Sequence, residues 1–156
     1  MRTIDVAATA HTDASAATVW SILADTSGWP MWSPNDGAEL ERAGTPIADG
    51  VGAIRVLRTG RIVVREEIMV FDAPKRLEYR LLSGLPVRSY QATVALVPDG
   101  SGTRIEWSAT FRSAVPGLGW LLRPALRRVL QRFAGALAVA PAAAAVPVGD
   151  TADVVR

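Results

Sequence analysis

The sequence has no cysteine and one histidine in its 156 residues. Without thiols there can be no disulfide framework, thiolate nucleophile or cysteine-bound zinc, and nothing demands an oxidising compartment. Any imidazole chemistry would fall to His11. That residue ends a strand-like stretch on its polar phase, which reads as a surface position. A transition-metal site would have to be built of carboxylates, and no spacing of Asp and Glu gathers them. No metal and no cofactor are expected.

Long apolar runs are missing as well. The opening stretch from Met1 to Val6 places Asp5 where an export signal needs an unbroken apolar region. The most apolar late segment, 133–148, is mostly alanine, is broken by Pro141 and Pro147, and is shorter than the roughly 20 residues that span a bilayer. A cytoplasmic location with no integral membrane segment is the expectation. A formal net charge of +2 is too small to suggest nucleic acid, and no recognition module accompanies it.

What remains is an ordinary globular composition, 49% hydrophobic and 21% charged, at a length that fits one core. Ile4 to His11 alternates apolar and polar residues as a strand with one buried face does. Ser15 then caps a short helix carrying Val19, Trp20, Ile22 and Leu23. Trp29-Pro30-Met31-Trp32-Ser33-Pro34 has room for one more helical turn. From Glu39 to Arg112 the chain reads as six consecutive antiparallel strands, separated by Gly, Pro and Asp clusters. Their inward phases are read as Ile54/Val56, Ile62/Val64/Glu66/Ile68/Val70, Leu77/Tyr79/Leu81, Tyr90/Ala92/Val94/Leu96 and Ile105/Trp107/Ala109/Phe111.

After Pro116-Gly117, an apolar stripe of Leu118, Leu122, Leu126, Val129, Phe133 and Leu137 predicts the longest helix, with Pro124 kinking its first turn, Leu118 to Arg123, away from the rest. One domain over 1–140 and a poorly packed Ala/Pro-rich tail over 141–156 complete the layout. The fold class is therefore α+β, a seven-stranded curved antiparallel sheet around a long C-terminal helix, with one or two short helices between the first two strands. One helix cannot fill so wide a concave face, so an apolar cavity is expected between sheet and helix.

Several residues on these phases could serve such a cavity. Glu66 is the polar member of the inward set: a carboxylate in an apolar cavity would have a raised pKa and could act as a general acid or base. An ion pair with Arg55, Arg65 or Arg80 is the alternative, as is a one-residue slip that turns it to solvent. Trp20, Trp29, Trp32 and Trp107 suit either cavity walls or a plain core. Tyr79 and Tyr90 could donate to a ligand oxygen or simply be satisfied in the core. Val64, Ile68, Leu81, Ala92 and Val94 from the sheet, with Leu122, Leu126 and Phe133 from the helix, complete the expected lining. Between Glu106 and Asp150 there is no acid, so Arg123, Arg127, Arg128 and Arg132 give the helix a basic outer face. That face could be merely solvated, or could touch a membrane surface, an acidic partner or the acidic head of a ligand.

The residues Ala16, Val19, Trp20, Leu23 and Asp25, then Trp29-Pro30 with Trp32, Val64 to Ile68, Asp72 with Pro74, Arg76, Leu77 and Tyr79, and Gly102 to Ile105 with Trp107 and Phe111 form one ordered pattern. It resembles the bacterial SRPBCC proteins of the START and birch-pollen-allergen-like superfamily, in the polyketide cyclase/dehydrase and lipid-transport branch. The resemblance covers residues 3 to about 140. It implies a helix-grip fold and a hydrophobic small-molecule ligand, which is lipid-, polyketide- or isoprenoid-like. It also allows a cofactor-independent polyketide cyclase or dehydratase using Glu66, Tyr79 or Tyr90, and a membrane-apposed adaptor is a further alternative. A monomer or a homodimer is compatible with all three. The Ser83-Gly84-Leu85-Pro86 loop is expected to border the cavity mouth.

Overall fold

A computed structural model describes residues 2–144. Strand β1 (Ile4–Thr12) leads to helix α1 (Ala16–Ala24), a 3-10 turn (Thr26–Gly28) and the short helix α2 (Trp29–Trp32). Strands β2 (Gly37–Arg42), β3 (Ile54–Thr59), β4 (Ile62–Asp72), β5 (Arg76–Ser83), β6 (Val87–Asp99) and β7 (Gly102–Ser113) follow, and helix α3 (Gly119–Ala144) ends the described chain. The sheet runs β1-β7-β6-β5-β4-β3-β2, with every pairing antiparallel. Sequence neighbours pair by hairpins, and β1 crosses to β7, so β1 and β2 are the free edges. Seven strands, a long final helix and short helices after the first strand make this a helix-grip fold, as expected from the sequence.

Local chemistry explains the short elements. Ser15 caps α1 by accepting from the Thr18 amide at 3.2 Å, and the helix turns Val19, Trp20 and Leu23 inward. Pro30 lies in the first turn of α2, where a missing N–H costs nothing. Trp29 Nε1 donates to the Leu23 carbonyl at 2.9 Å, so the orphaned end of α1 is tied to the next element.

The inward sets of β5, β6 and β7 are as read from alternation, and register stacks them: Leu77 faces Val94, Tyr79 faces Ala92 and Val94 faces Trp107. Two phases differ. In β3 the inward residues are Arg55 and Leu57, while Ile54 and Val56 are buried on the outer face beside Glu67 and Arg65. Long ion-paired side chains there, Arg65 with Glu41 and both Arg42 and Arg80 with Glu67, shield those two aliphatics from water. In β4 a bulge between Ile68 and Val70 shifts the count by one. Phe71, not Val70, then points inward and meets Trp20 edge-on at 5.0 Å.

The helix differs too. α3 is continuous from Gly119 through Pro124, so Leu118 to Arg123 do not form a separate turn. Its first turn is already bonded from the Leu121 and Leu122 amides to the Leu118 carbonyl, and Pro124 removes one later donor without stopping the helix. The buried stripe is Leu126, Leu130, Ala134, Leu137 and Ala140, whereas Leu118 and Val129 are exposed. The helix also passes the expected end of the domain at 140, running through buried Pro141 to Ala144 on an alanine-rich stretch of high helix propensity. The rest of the expected tail lies outside the described residues. α3 rests on β1 and β7 and touches α1 and α2.

Gly84, between β5 and β6, has φ +115°, and a Cβ there would collide with the Val63 carbonyl oxygen. A Gly84→Ala variant is expected to lose about 1–3 kcal/mol, seen as a lower denaturant midpoint with an unchanged m-value.

Candidate functional site

Between α3 and the inner face of β3 to β7 lies a cavity of about 260 Å³. Its walls are aromatic and aliphatic. Trp29, Trp107 and Phe133 form one side, with ring centroids 5.7–6.3 Å apart, and Leu57, Val64 and Leu81 of the sheet face Leu126 and Leu130 of the helix. Such tilted aromatic packing keeps ring edges against ring faces and leaves a smooth apolar surface.

One charged pair sits in this apolar surround. Arg55 and Glu66 are opposite each other across β3 and β4, and Arg55 Nε donates to Glu66 Oε2 at 2.8 Å. Both are buried, with Arg55 1% and Glu66 7% exposed. The guanidinium lies 4.2 Å from the Trp29 ring centroid and 4.8 Å from that of Tyr79, a cation–π sandwich that offsets part of its desolvation. Its Nη2 finds no protein acceptor among the described residues. Glu66 lines the cavity, and Arg55 engages one of its two oxygens. Burial raises the Glu66 carboxyl pKa, and the Arg55 charge opposes that rise. The two sequence readings of Glu66, inward carboxylate and Arg55 ion pair, therefore hold together.

Two phenols complete the polar part. Trp107 Nε1 donates to Tyr79 Oη at 3.0 Å. Burial drives the Tyr79 phenol well above its ordinary value, and the neighbouring Tyr90 and Glu66 add to the effect. Burial raises Tyr90 as well, with Glu66 contributing. Both therefore stay protonated and can donate. The rim is formed by the exposed Thr59, Ile62, Val129 and Arg132, with half-buried Leu85 from the loop after β5. Asn35 reaches the same region, donating from Nδ2 to Thr59 Oγ1 at 2.9 Å.

Of the residues expected to line the cavity, Trp29, Val64, Glu66, Tyr79, Leu81, Tyr90, Trp107, Leu126 and Phe133 do so. Trp20, Trp32, Ile68, Ala92, Val94 and Leu122 do not. Trp20 is occupied by Phe71, and Trp32 packs at a tilt against Trp29. Ile68, Ala92 and Val94 are closed over as packed core, and Leu122 packs at the core margin one turn before the cavity. Arg132 is at the rim, while Arg123, Arg127 and Arg128 lie on the exposed side of α3. Sequence reasoning named Arg55 as a partner of Glu66 but not its inward face, and missed Leu57, both hidden by the inverted phase of β3; it also missed Asn35 and Thr59, brought together by a loop-to-strand contact that leaves no local pattern. His11 is exposed, 3.9 Å from Asp99.

The family described as "Polyketide cyclase / dehydrase and lipid transport" matches over residues 3–140. The chain belongs to that family. No curated protein matches it in sequence. Among solved structures, a START superfamily protein from Mycobacterium smegmatis is similar at TM-score 0.74 and 19% identity, covering 85% of this chain and 93% of that one. The protein Ara h 8.0201 is similar at TM-score 0.67 and 12% identity, covering 91% and 99%. Norcoclaurine synthase from Thalictrum flavum, solved with dopamine and hydroxybenzaldehyde, is similar at TM-score 0.63 and 21% identity, covering 80% and 77%. At these identities the likeness is one of fold. No helix of the described residues is long and apolar enough to cross a membrane.

Two expected outcomes follow from the buried polar groups. The chain has two tyrosines, both with raised pKa, so absorbance titration of the folded protein should show no phenolate near the ordinary value of 10.0; the signal should come with unfolding. The raised Glu66 carboxyl makes the folded state hold its proton more tightly than the unfolded chain. Its stabilising contribution is full below the ordinary value of 4.5 and falls as pH rises through the raised folded value. Glu66→Gln, which puts an uncharged amide in place of the titrating carboxyl, should abolish that falling slope in denaturant melts across the pH range.

Proposed function

We propose that this chain binds a hydrophobic small molecule in the cavity beneath α3, with a hydrogen-bond-donating group of the ligand turned to Glu66. The observation that carries the reading is a single buried carboxylate set in an otherwise apolar wall of Trp29, Leu57, Val64, Leu81, Trp107 and Phe133. Apolar walls supply affinity at about 25 cal/mol per Å² of ligand surface removed from water. The few polar groups orient the ligand: Glu66 accepts, and Tyr79 and Tyr90 donate. Arg132 at the rim suits an acidic group that stays in the mouth. Family membership supports a ligand that is lipid-, polyketide- or isoprenoid-like. A volume of about 260 Å³ lies just under the ~300–1,000 Å³ common for such pockets, which favours a compact aromatic or a single chain over a large multi-ring lipid.

The raised Glu66 pKa favours a second reading, cyclase or dehydratase chemistry, in which Glu66 moves a proton while the phenols hold a ligand oxygen. The cavity would supply the folded geometry of the reacting chain.

Native mass spectrometry of the purified protein, with solvent extraction and identification of what is bound, tests the first reading and separates monomer from homodimer. A retained hydrophobic molecule is the expected result. Val64→Trp, which fills the cavity, should weaken binding of an anilinonaphthalene sulfonate dye about tenfold or more. Empty protein that also binds the dye equally well with and without the tryptophan would overturn the cavity reading. If Glu66→Gln carries a chemically different molecule from the wild type, the difference identifies turnover; the same molecule in both sinks the enzymatic reading.

A further inference from the structure

The segment that ends β7 and opens α3 carries a second apolar surface, on the outside of the protein. Val115, Leu118, Trp120 and Leu121 lie within seven residues and are 45%, 37%, 78% and 51% exposed. Trp120 stands apart from the other four tryptophans: Trp20, Trp29 and Trp107 are buried and Trp32 is half-buried. Helical spacing places Trp120, Pro124, Arg127 and Arg128 on one face at i, i+4, i+7 and i+8, opposite the Leu122 and Leu126 side that faces the core. The opening of α3 is therefore apolar on both sides.

The charges around it are mostly positive. Seven arginines of the sheet, Arg42, Arg55, Arg58, Arg65, Arg76, Arg80 and Arg104, each meet a carboxylate, while Arg88 and Arg112 meet none among the described residues. Arg123, Arg127 and Arg128 meet none among the described residues, and the sequence holds no acid between Glu106 and Asp150. In the groove beside Trp120, Arg2 and Arg123 face one acid, Asp5. An exposed tryptophan and leucines bordered by arginines that form no ion pair among the described residues match the two layers of an anionic lipid surface, where the indole takes the interface and the guanidinium groups meet the headgroups. Pairing with a second copy would bring like-charged arginines together across a two-fold axis.

We propose that this face, centred on Trp120 and Leu121 and bordered by Arg2, Arg123, Arg127 and Arg128, docks the protein on an anionic phospholipid surface. Its position gives the docking a use. The Ala114 amide donates to the Pro86 carbonyl at 3.1 Å, and the adjoining Leu85 is part of the cavity rim. A docked protein holds that part of the rim close to the bilayer, so a hydrophobic ligand has a short path between membrane and cavity. The docking itself stands on the surface alone and does not require the cavity reading.

Sedimentation with vesicles of equal parts phosphatidylcholine and phosphatidylglycerol, compared with pure phosphatidylcholine, tests it. The wild type should pellet with the anionic vesicles only, with a blue shift in tryptophan emission, and binding should fall about tenfold or more from low to high salt. Trp120→Ser, and separately the pair Arg127→Glu with Arg128→Glu, should each weaken binding about tenfold or more while leaving the denaturant midpoint in place, since these side chains are exposed. Val64→Trp should dock as well as the wild type, which separates this proposal from the cavity reading. Absence of anionic-vesicle binding, equal binding to neutral vesicles, or binding indifferent to Trp120→Ser would overturn it. So would a dimer that Trp120→Ser dissociates, which would assign the face to a second copy.

Discussion

A single helix about 10 Å across has to cover the inner face of a seven-stranded sheet, and no rotation or shift of that helix can fill the whole concavity. The side chains respond in two ways. Over β1 and β7, where α3 rests, Ile105, Ala109, Ala134 and Leu137 close into solid core. Toward β3, β4 and β5 the helix is too far away, and the same kind of apolar residues bound an open space instead. Core and cavity are thus one surface, divided by distance from the helix.

Within that surface, a buried Arg55–Glu66 pair is expensive, and an apolar pair of equal volume would often be as stable or more so. Cation–π contacts with Trp29 and Tyr79 and a charge-assisted hydrogen bond reduce the cost. They do not remove it, since the Arg55 Nη2 meets no acceptor among the described residues. A fold retaining such a pair on the wall of a cavity keeps a fixed acceptor where a ligand can meet it. The two phenols, held protonated by the same burial that raises Glu66, make the polar end of the space both donor and acceptor.

Alternation made most of this legible from residue order. Strands β5 to β7, the Ser15 cap, the element order and the inward placement of Glu66 follow from period-two and period-3.6 patterns, which report which face is dry. The reading failed where a residue's face is set by something outside its own strand. Arg55 turns inward because Glu66 and two aromatic rings receive it, and a local pattern would always assign an arginine among valines and leucines to water. The β4 bulge moved the inward place from Val70 to Phe71, and a bulge inserts a residue without changing composition. Trp120 went unnoticed beside four tryptophans on plausible core phases, since a sequence does not say which of five indoles remains uncovered.

By itself the sequence determined the family, the α+β order of elements, the apolar character of the interior and the run of arginines without acids on the last helix. The family rests on the resemblance of an ordered run of motifs, and the others are properties of periodicity and composition, written locally. Tertiary structure alone decided which inward residues border empty space, which buried cation partners Glu66, and where Trp120 emerges. Each depends on the distance between α3 and strands remote from it in the chain, and that distance comes from sheet curvature summed over seven strands rather than from any one segment.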